Sequence, residues 1–348
     1  MRIHGGNVWQ GGAPEDWLDF SANLRPGGAP DWVREALLHA VSRTAYYPDP
    51  KMHAARSALG AHLGIDADWA LPTAGGISAI ALAAQLPARN IITFAPCFGE
   101  YARAAELQGK GLEALSLLDG GDILRPSEIL QGRSVEGCAL WLCTPLNPVG
   151  IAFSREEIAA LLGRVESGNG WLVLDEAFIH CCPEYSSVDL LEAHPRLLIA
   201  GSLTKSLGIP GVRLGYLCAH PDLLRDLSAR QNTWELSCFA EAVLCALPGH
   251  EAELKLEAQE NAARRERLRG DLIRLGARVY PSEANFLLAD FGREVASIAA
   301  RLKARGILVR ECLDFKGIDD GRHLRLAVKE EAANARLLKE LKVILNQE

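Results

Sequence analysis

"GWLVLDEAF", residues 170 to 178, is an apolar run that ends in two adjacent carboxylates. Three further short apolar runs resemble it: "NIITFA" (90 to 95), "GCALWLC" (137 to 143) and "RLLIAGS" (196 to 202). Nearly continuous apolar runs of this length are typical of parallel strands that are covered on both faces. We therefore predict a largely parallel sheet, to which residues 170–175 contribute one strand.

Amphipathic segments separate these runs. In "SREEIAALLGRVES" (154 to 167), Ser154 stands where it can cap a helix, and Glu157 occupies the capping-box position. The alternation of strand and helix patterns predicts an α/β fold with helices on both faces of the sheet.

The length of 348 residues favours two domains, because a single hydrophobic core rarely grows beyond about 250–300 residues. From about residue 250 a long charged helical stretch leads into short apolar runs, which is typical of an α+β unit. We predict a large domain over residues 46–249. We predict that residues 250–348 form a smaller domain together with residues 1–45, which include a proline-started helix at 30–41.

The composition excludes several classes of protein. With 49% hydrophobic and 23% charged residues the chain is typical of globular proteins, and its net charge of -7 disfavours nucleic acid or an acidic membrane as a partner. No apolar run reaches the length of a signal peptide or of a membrane span. The nine cysteines are odd in number and lack metal-type spacings. We therefore expect a cytoplasmic protein with no metal site and no disulfide framework.

Polar groups follow three of the predicted strands. Asp175 ends one of them, "LNPVG" (146 to 150) follows another, and Lys205 lies in "GSLTKSLGIPGVRLGY" (201 to 216) after the third. Ligands of open parallel sheets bind beyond the carboxyl ends of the strands. A buried carboxylate such as Asp175 also needs a cationic or hydrogen-bonding partner. A cofactor with an aldehyde, a phosphate and a protonated ring nitrogen would engage all these groups.

These motifs and their order resemble the fold type I enzymes of the aminotransferase class I and II group, which use pyridoxal 5'-phosphate (PLP). The resemblance covers almost the whole chain and implies a large domain with a mainly parallel sheet sandwiched by helices, plus a smaller α+β domain. It implies that Lys205 binds the cofactor aldehyde covalently and that Asp175 pairs with the pyridinium nitrogen, which keeps the ring an electron sink. Asn147 would hydrogen-bond the phenolic oxygen of the ring.

The resemblance also implies a cradle for the cofactor phosphate, made of side chains and of N–H groups at a helix start. Its members would be Ser202, Thr204, Arg213 and, in "TAGG" (73 to 76), Gly75 and Gly76. Phe98 occupies the position of the aromatic ring that stacks on the cofactor. Tyr47 matches a tyrosine that in related enzymes reaches the phosphate of the neighbouring subunit, so the resemblance implies a homodimer.

Within this group the chain is similar to the threonine-phosphate decarboxylases. The motifs concerned are "HGGN" (4 to 7), "DFSANLRP" (19 to 26), "YPDP" (47 to 50), "CTPLNPVG" (143 to 150), "DEAF" (175 to 178), "SLTK" (202 to 205), "IPGVRLGY" (209 to 216) and "HLRLAV" (323 to 328). The resemblance implies decarboxylation of L-threonine O-3-phosphate to (R)-1-amino-2-propanol O-2-phosphate for cobalamin biosynthesis. Histidinol-phosphate aminotransferases share several motifs, but typically have tyrosine in place of Phe178. An aminotransferase of that type, or another of the group, is the alternative.

A small phosphorylated amino acid needs contacts of its own. By the resemblance Arg325 binds the substrate carboxylate, beside Asn147. The substrate phosphate needs a cationic or N–H-rich cradle separate from that of the cofactor. Candidates are His4, Arg25 and Arg310, with Gly5 and Gly6 allowing close backbone approach. Arg310 ends an apolar strand and would be costly to bury unpaired, which favours a ligand role.

Two other classes of protein are compatible with parts of the sequence. "SLTK" also matches the SxxK motif of penicillin-recognising serine hydrolases, in which Ser202 would be the nucleophile and Lys205 its base. That class needs a later SxN and a KTG, whereas "SAN" (21 to 23) comes earlier and no KTG exists. The other reading is a catalytically silent PLP-fold module. The presence of both Lys205 and Asp175 disfavours it, and absence of the visible cofactor band would support it.

Overall fold

Two main β-sheets, one large and one small, organise the chain. The computed structural model describes residues 4–9 and 11–347. The strands are β1 (Leu18–Asp19), β2 (Ala70–Thr73), β3 (Asn90–Ala95), β4 (Gly111–Ser116), β5 (Leu118–Asp119), β6 (Asp122–Ile123), β7 (Ala139–Cys143), β8 (Trp171–Asp175), β9 (Leu197–Ser202), β10 (Gly215–Ala219), β11 (Arg278–Val279), β12 (Phe286–Asp290), β13 (Ile307–Leu308), β14 (Arg310–Glu311) and β15 (His323–Ala327). The α-helices are α1 (Asp31–Ala40), α2 (His53–Leu63), α3 (Gly76–Ala83), α4 (Glu100–Leu107), α5 (Pro126–Ile129), α6 (Arg155–Ser167), α7 (Leu203–Ser206), α8 (Pro221–Ser228), α9 (Cys238–Cys245), α10 (Glu251–Arg274), α11 (Ala296–Lys303) and α12 (Glu331–Leu345).

The large sheet has seven strands in the order β2-β10-β9-β8-β7-β3-β4. The run β9-β8-β7-β3-β4 is parallel throughout, and β10 lies antiparallel to both of its neighbours. β7 and β8 are buried along their whole length, as their apolar sequences require. The predicted α/β fold with a mainly parallel sheet is therefore confirmed.

Helix α6 shows how the sequence sets a helix start. The side chain of Ser154 accepts a hydrogen bond from the backbone N–H of Glu157, as predicted for a cap. The reciprocal half of the capping box does not form. The buried Glu157 carboxylate instead accepts hydrogen bonds from the backbone N–H and the hydroxyl of Ser127, at 2.6 and 2.9 Å. A tertiary contact between α5 and α6 has thus replaced the local one.

The small sheet is antiparallel, in the order β11-β12-β15-β14, and has a hydrophobic core of its own with α10, α11 and α12. Strand β1 pairs in parallel with β13, so the N-terminal segment joins this half of the chain. Helix α1 packs on α9 instead, and its Val33 lies in the core of the large sheet. The domain boundaries at residues 45 and 250 stay a prediction.

The longest helix, α10, is 24 residues long and strongly charged. Its buried positions include Leu268 and Leu272, while most of its remaining residues contact solvent. Among the helices in the described part of the chain, none combines the length and the apolar character needed to cross a membrane.

Candidate active site

A cavity of about 430 Å³ lies beyond the carboxyl ends of β7, β8 and β9. It brings together eleven of the predicted site residues, which come from the N-terminal segment, the large sheet and the small sheet. They are His4, Gly76, Phe98, Asn147, Asp175, Ser202, Thr204, Lys205, Arg213, Arg310 and Arg325. Parallel strands point their carboxyl ends to one edge of the sheet, which explains why groups far apart in sequence meet here.

Lys205 lies in the short helix α7, directly after β9. Burial, and then the positive charges of Arg325 and Arg213, lower the pKa of its amine to about 8, against the opposing charge of Asp175. A larger neutral fraction near pH 7–8 makes the amine a better nucleophile toward a carbonyl carbon.

Asp175 ends β8 and is buried. Its Oδ2 accepts a hydrogen bond of 2.5 Å from the Tyr101 hydroxyl, and its Oδ1 accepts one of 3.0 Å from the backbone N–H of Ala177. Burial raises the pKa of the carboxyl group, while these hydrogen bonds and the charge of Lys205 oppose the rise. Asp175 therefore has the hydrogen-bonding partners that the sequence predicts for a buried carboxylate. One of them, Tyr101, was not among the predicted site residues.

A cradle suited to an anion forms where β2 leads into α3. Gly75 has φ +89, and a side chain there would collide with the Arg213 guanidinium, since its Cβ would lie 2.7 Å from Nη2. Helix α3 begins at Gly76, so its first backbone N–H groups are available to an anion. Ser202 packs beside Gly76 at the same place.

The Thr204 hydroxyl has a partner within the chain. Its hydroxyl donates to the backbone carbonyl of Leu214 at 3.1 Å, which uses the only hydrogen the hydroxyl has. Thr204 therefore fixes the loop between α7 and β10, although it lines the cavity.

Arg325, on β15, is buried. Its Nη1 donates to Asn147 Oδ1 at 2.6 Å, and its Nη2 donates to the backbone carbonyl of Ser21 at 2.8 Å. Its Nε finds no hydrogen-bond partner in the part of the chain that is described. Because the Asn147 oxygen accepts from Arg325, the amide NH₂ of Asn147 is left to donate elsewhere.

Arg310 is 4% exposed and lines the cavity, but it is not unpaired as the sequence argument assumed. Its Nη2 donates to both carboxylate oxygens of Asp314, at 2.5 and 2.7 Å, and its Nη1 donates to the Glu311 carbonyl at 2.7 Å. Asp314 also lines the cavity. The buried charge is therefore compensated within the chain, and burial alone gives no argument for a ligand.

The N-terminal "HGGN" segment lies against "DFSAN". A Cβ at Gly5 would overlap the carbonyl oxygen of Ser21, so the expected close approach of the backbone is real at that position. The Gly6 N–H donates to Ser21 Oγ at 2.8 Å. The His4 ring lies 2.9 Å from a Glu100 carboxylate oxygen, measured from Nε2, and lines the cavity.

Arg25 and Tyr47 lie outside the cavity, and Gly75 is not among its lining residues. Arg25 donates to Glu253 at 3.2 Å and is not among the lining residues, so it is removed from the candidate phosphate ligands. Tyr47 is 79% exposed and stacks on Trp234, with ring centroids 4.4 Å apart. It does not reach the cavity of its own chain.

The residues present fit PLP. An amine, a buried carboxylate and an asparagine amide face one cavity, whose lining also includes Gly76 at the start of α3 and Arg213. Tyr101 is the contact that the sequence analysis overlooked. The available signal was its position three residues after Phe98, just inside the start of α4.

Comparison with known proteins identifies the family. The family model described as aminotransferase class I and II matches residues 15–341. The threonine-phosphate decarboxylase of Salmonella typhimurium is 34% identical, over 98% of this chain and 96% of that protein. A histidinol-phosphate aminotransferase of Geobacillus sp. is 28% identical, over 95% and 91% of the two chains. The crystal structure of the histidinol-phosphate aminotransferase from Clostridium acetobutylicum has a TM-score of 0.87 at 24% identity, over 94% of this chain and 99% of that one. The chain belongs to the class I and II aminotransferase family of PLP-dependent enzymes.

Proposed function

We propose that the protein decarboxylates L-threonine O-3-phosphate to (R)-1-amino-2-propanol O-2-phosphate for cobalamin biosynthesis. The observation that carries this proposal is that one cavity holds the cofactor residues together with two buried arginines, Arg310 and Arg325. The substrate has two anionic groups, a carboxylate and a phosphate, and each needs a cationic partner. The similarity to the threonine-phosphate decarboxylase of Salmonella typhimurium supports the same reaction.

In this proposal three side chains hold the cofactor ring. Lys205 binds the aldehyde, Asp175 faces the ring nitrogen, and Asn147 donates its NH₂ to the phenolic oxygen. When bound, PLP supplies an electron sink for the bond that breaks at the substrate α-carbon. The hydrogen bond from Arg325 to Asn147 Oδ1 orients the amide for that donation.

Around the ring, Phe98 would stack on one face. The N–H groups at Gly75 and Gly76, with Ser202 and Arg213, would bind the cofactor phosphate. We propose that Tyr47 completes this phosphate site in the neighbouring subunit of a homodimer, since it is exposed and does not reach its own cavity.

The substrate would lie between the two halves of the chain. Arg325 would bind the carboxylate through its Nε side, and Arg310 with His4 would bind the phosphate. Fixing both ends would set the orientation of the bond between the α-carbon and the carboxylate, which decides whether PLP, when bound, can weaken that bond. As carbon dioxide leaves, a proton must reach the α-carbon, and the Lys205 amine, once the substrate amine has displaced it from the aldehyde, would deliver it from the cavity wall.

We propose a cytoplasmic location, which the odd number of cysteines in the sequence favours. No further partner is proposed.

The test is a substrate panel on the PLP-loaded protein. We expect kcat/KM for L-threonine O-3-phosphate without any keto acid to exceed that for L-threonine by at least a hundredfold, because the phosphate contacts are lost with the smaller substrate. Histidinol phosphate with 2-oxoglutarate should yield no glutamate. Glutamate formation without turnover of threonine phosphate would establish the alternative, an aminotransferase.

A further inference from the structure

Tyr101 is a buried tyrosine in the first turn of α4, and it is 1% exposed. Its hydroxyl donates to Asp175 Oδ2 at 2.5 Å, and the other carboxylate oxygen accepts from the Ala177 N–H at 3.0 Å. Each carboxylate oxygen therefore has one fixed donor. The two hydrogen bonds together determine the plane in which the carboxylate lies.

The ring of Tyr101 is itself held from two sides. It meets Trp141 of β7 edge to face, with centroids 5.3 Å apart, and it meets Phe98 in the same way at 5.9 Å. The backbone N–H of Tyr101 donates to the Phe98 carbonyl at 3.2 Å. One turn of chain thus places Phe98 at the cavity and the Tyr101 hydroxyl on the carboxylate behind it.

The direction of the hydrogen bond follows from the electrostatics. Burial, and then the negative charge of Asp175, raise the pKa of Tyr101 well above its usual value, so the hydroxyl keeps its proton and acts as the donor. Burial raises the pKa of Asp175, and the Tyr101 hydrogen bond is the largest influence that opposes this rise. Loss of the hydroxyl would shift Asp175 toward its neutral form.

We propose that Tyr101 is a positioning residue that keeps Asp175 ionised and oriented toward the ring nitrogen of PLP. A neutral or rotated Asp175 would no longer stabilise a protonated ring nitrogen. Tyr101 would thereby govern how strongly the cofactor withdraws electrons without touching it. This inference rests on the proposed role of Asp175.

The test is Tyr101→Phe, which removes one oxygen atom and keeps the ring. We expect the dissociation constant of PLP to rise about tenfold, the effect of one lost hydrogen bond to a charged group. With ¹⁵N-labelled PLP, the NMR signal of the ring nitrogen should move toward the unprotonated position. With 1-deaza-PLP, in which CH replaces the ring nitrogen, the variant and the wild type should bind equally within about twofold.

Control variants distinguish a failure of the Tyr101 inference from a failure of the proposed role of Asp175. Tyr280→Phe removes a hydroxyl from a buried tyrosine in the other half of the chain, outside the cavity, and should change neither PLP binding nor the nitrogen signal. If Tyr101→Phe weakens binding of PLP and of 1-deaza-PLP equally, Tyr101 affects the site only through packing, and the inference is wrong. If Asp175→Asn loses PLP affinity while Tyr101→Phe behaves as wild type, only the Tyr101 inference fails. If neither variant differs from wild type, the role of Asp175 fails as well.

Discussion

Arg310 and Asp314 form a salt bridge within the cavity that a substrate phosphate would enter. The Arg310 side chain is 5% exposed, whereas that of Asp314 is 38% exposed. An incoming phosphate and the Asp314 carboxylate would compete for the same guanidinium, so Asp314 should set the affinity for phosphorylated ligands.

Asp314→Asn should therefore strengthen binding of inorganic phosphate and lower the KM for L-threonine O-3-phosphate by about three- to tenfold, while L-threonine is unaffected. Calorimetric titration and steady-state kinetics measure these changes. Asp319→Asn is the matched control, since it removes one charge from the same loop without lining the cavity. Weaker phosphate binding in Asp314→Asn would show that Asp314 holds Arg310 in place instead of competing with the ligand.

The residues found from sequence and those missed differ in where their partners lie. Lys205 and Asp175 could be found because each directly follows an apolar run that ends at the ligand edge of the sheet. Tyr101 was missed, because it acts through the side chain of Asp175, which lies 74 residues further along the chain. The role of Thr204 at the cofactor phosphate stays a prediction, and its bond to the Leu214 carbonyl depends on a turn that no local pattern specifies.

Strand β10 determines the shape of the anion cradle. Its first residue, Gly215, lies between Thr73 and Ser202 in the sheet, directly under the turn that starts α3. A Cβ at Gly215 would lie 2.5 Å from the Gly75 carbonyl carbon and 2.6 Å from the Gly76 nitrogen. Only glycine lets the strand approach the turn this closely.

Gly215→Ala should displace the turn, lower stability by about 1–3 kcal/mol and weaken PLP binding. Urea unfolding of the cofactor-free protein and PLP titration measure the two effects. Gly163→Ala serves as the control, because a Cβ in that exposed part of α6 meets nothing within 4 Å, and alanine should stabilise the helix by about 0.5–1 kcal/mol. Wild-type PLP affinity in Gly215→Ala would contradict this account of the cradle.

The apolar runs predicted β3, β7, β8 and β9, because strands buried on both faces carry a strong local signal. The antiparallel β10 was not predicted. Its direction depends on the loop from α7, in which Thr204 and Arg213 bond to backbone carbonyls. The direction of β10 is therefore set by contacts between segments, which the sequence of the strand alone does not show.

The cavity is complete only when distant parts of the chain meet. The N-terminal segment pairs with β13 through β1. The backbone carbonyl of Ser21, in the same segment, accepts a hydrogen bond from the Arg325 guanidinium. Sequence motifs indicated that these segments belong to one site, but the pairing and the contacts depend on tertiary folding. If the protein is a homodimer as proposed, Tyr47 would likewise join the site only when the second subunit is in place.

A homodimer of twice 37.7 kDa is expected in sedimentation experiments. If Tyr47 serves the neighbouring site, mixing Tyr47→Ala with Lys205→Ala should restore activity. Each mixed dimer then has one site with an intact Lys205 and an intact Tyr47. Activity no higher than that of Tyr47→Ala alone would show that Tyr47 does not act across the dimer.

The central claim is tested most directly with L-threonine O-3-phosphate carrying ¹³C in its carboxyl group, incubated with the PLP-loaded protein and no keto acid. We expect catalytic release of ¹³CO₂ in a one-to-one ratio with aminopropanol phosphate, and none with Lys205→Ala. Retention of the label in an unreacted substrate or in a keto acid, with no ¹³CO₂ released, would contradict the assignment as a decarboxylase.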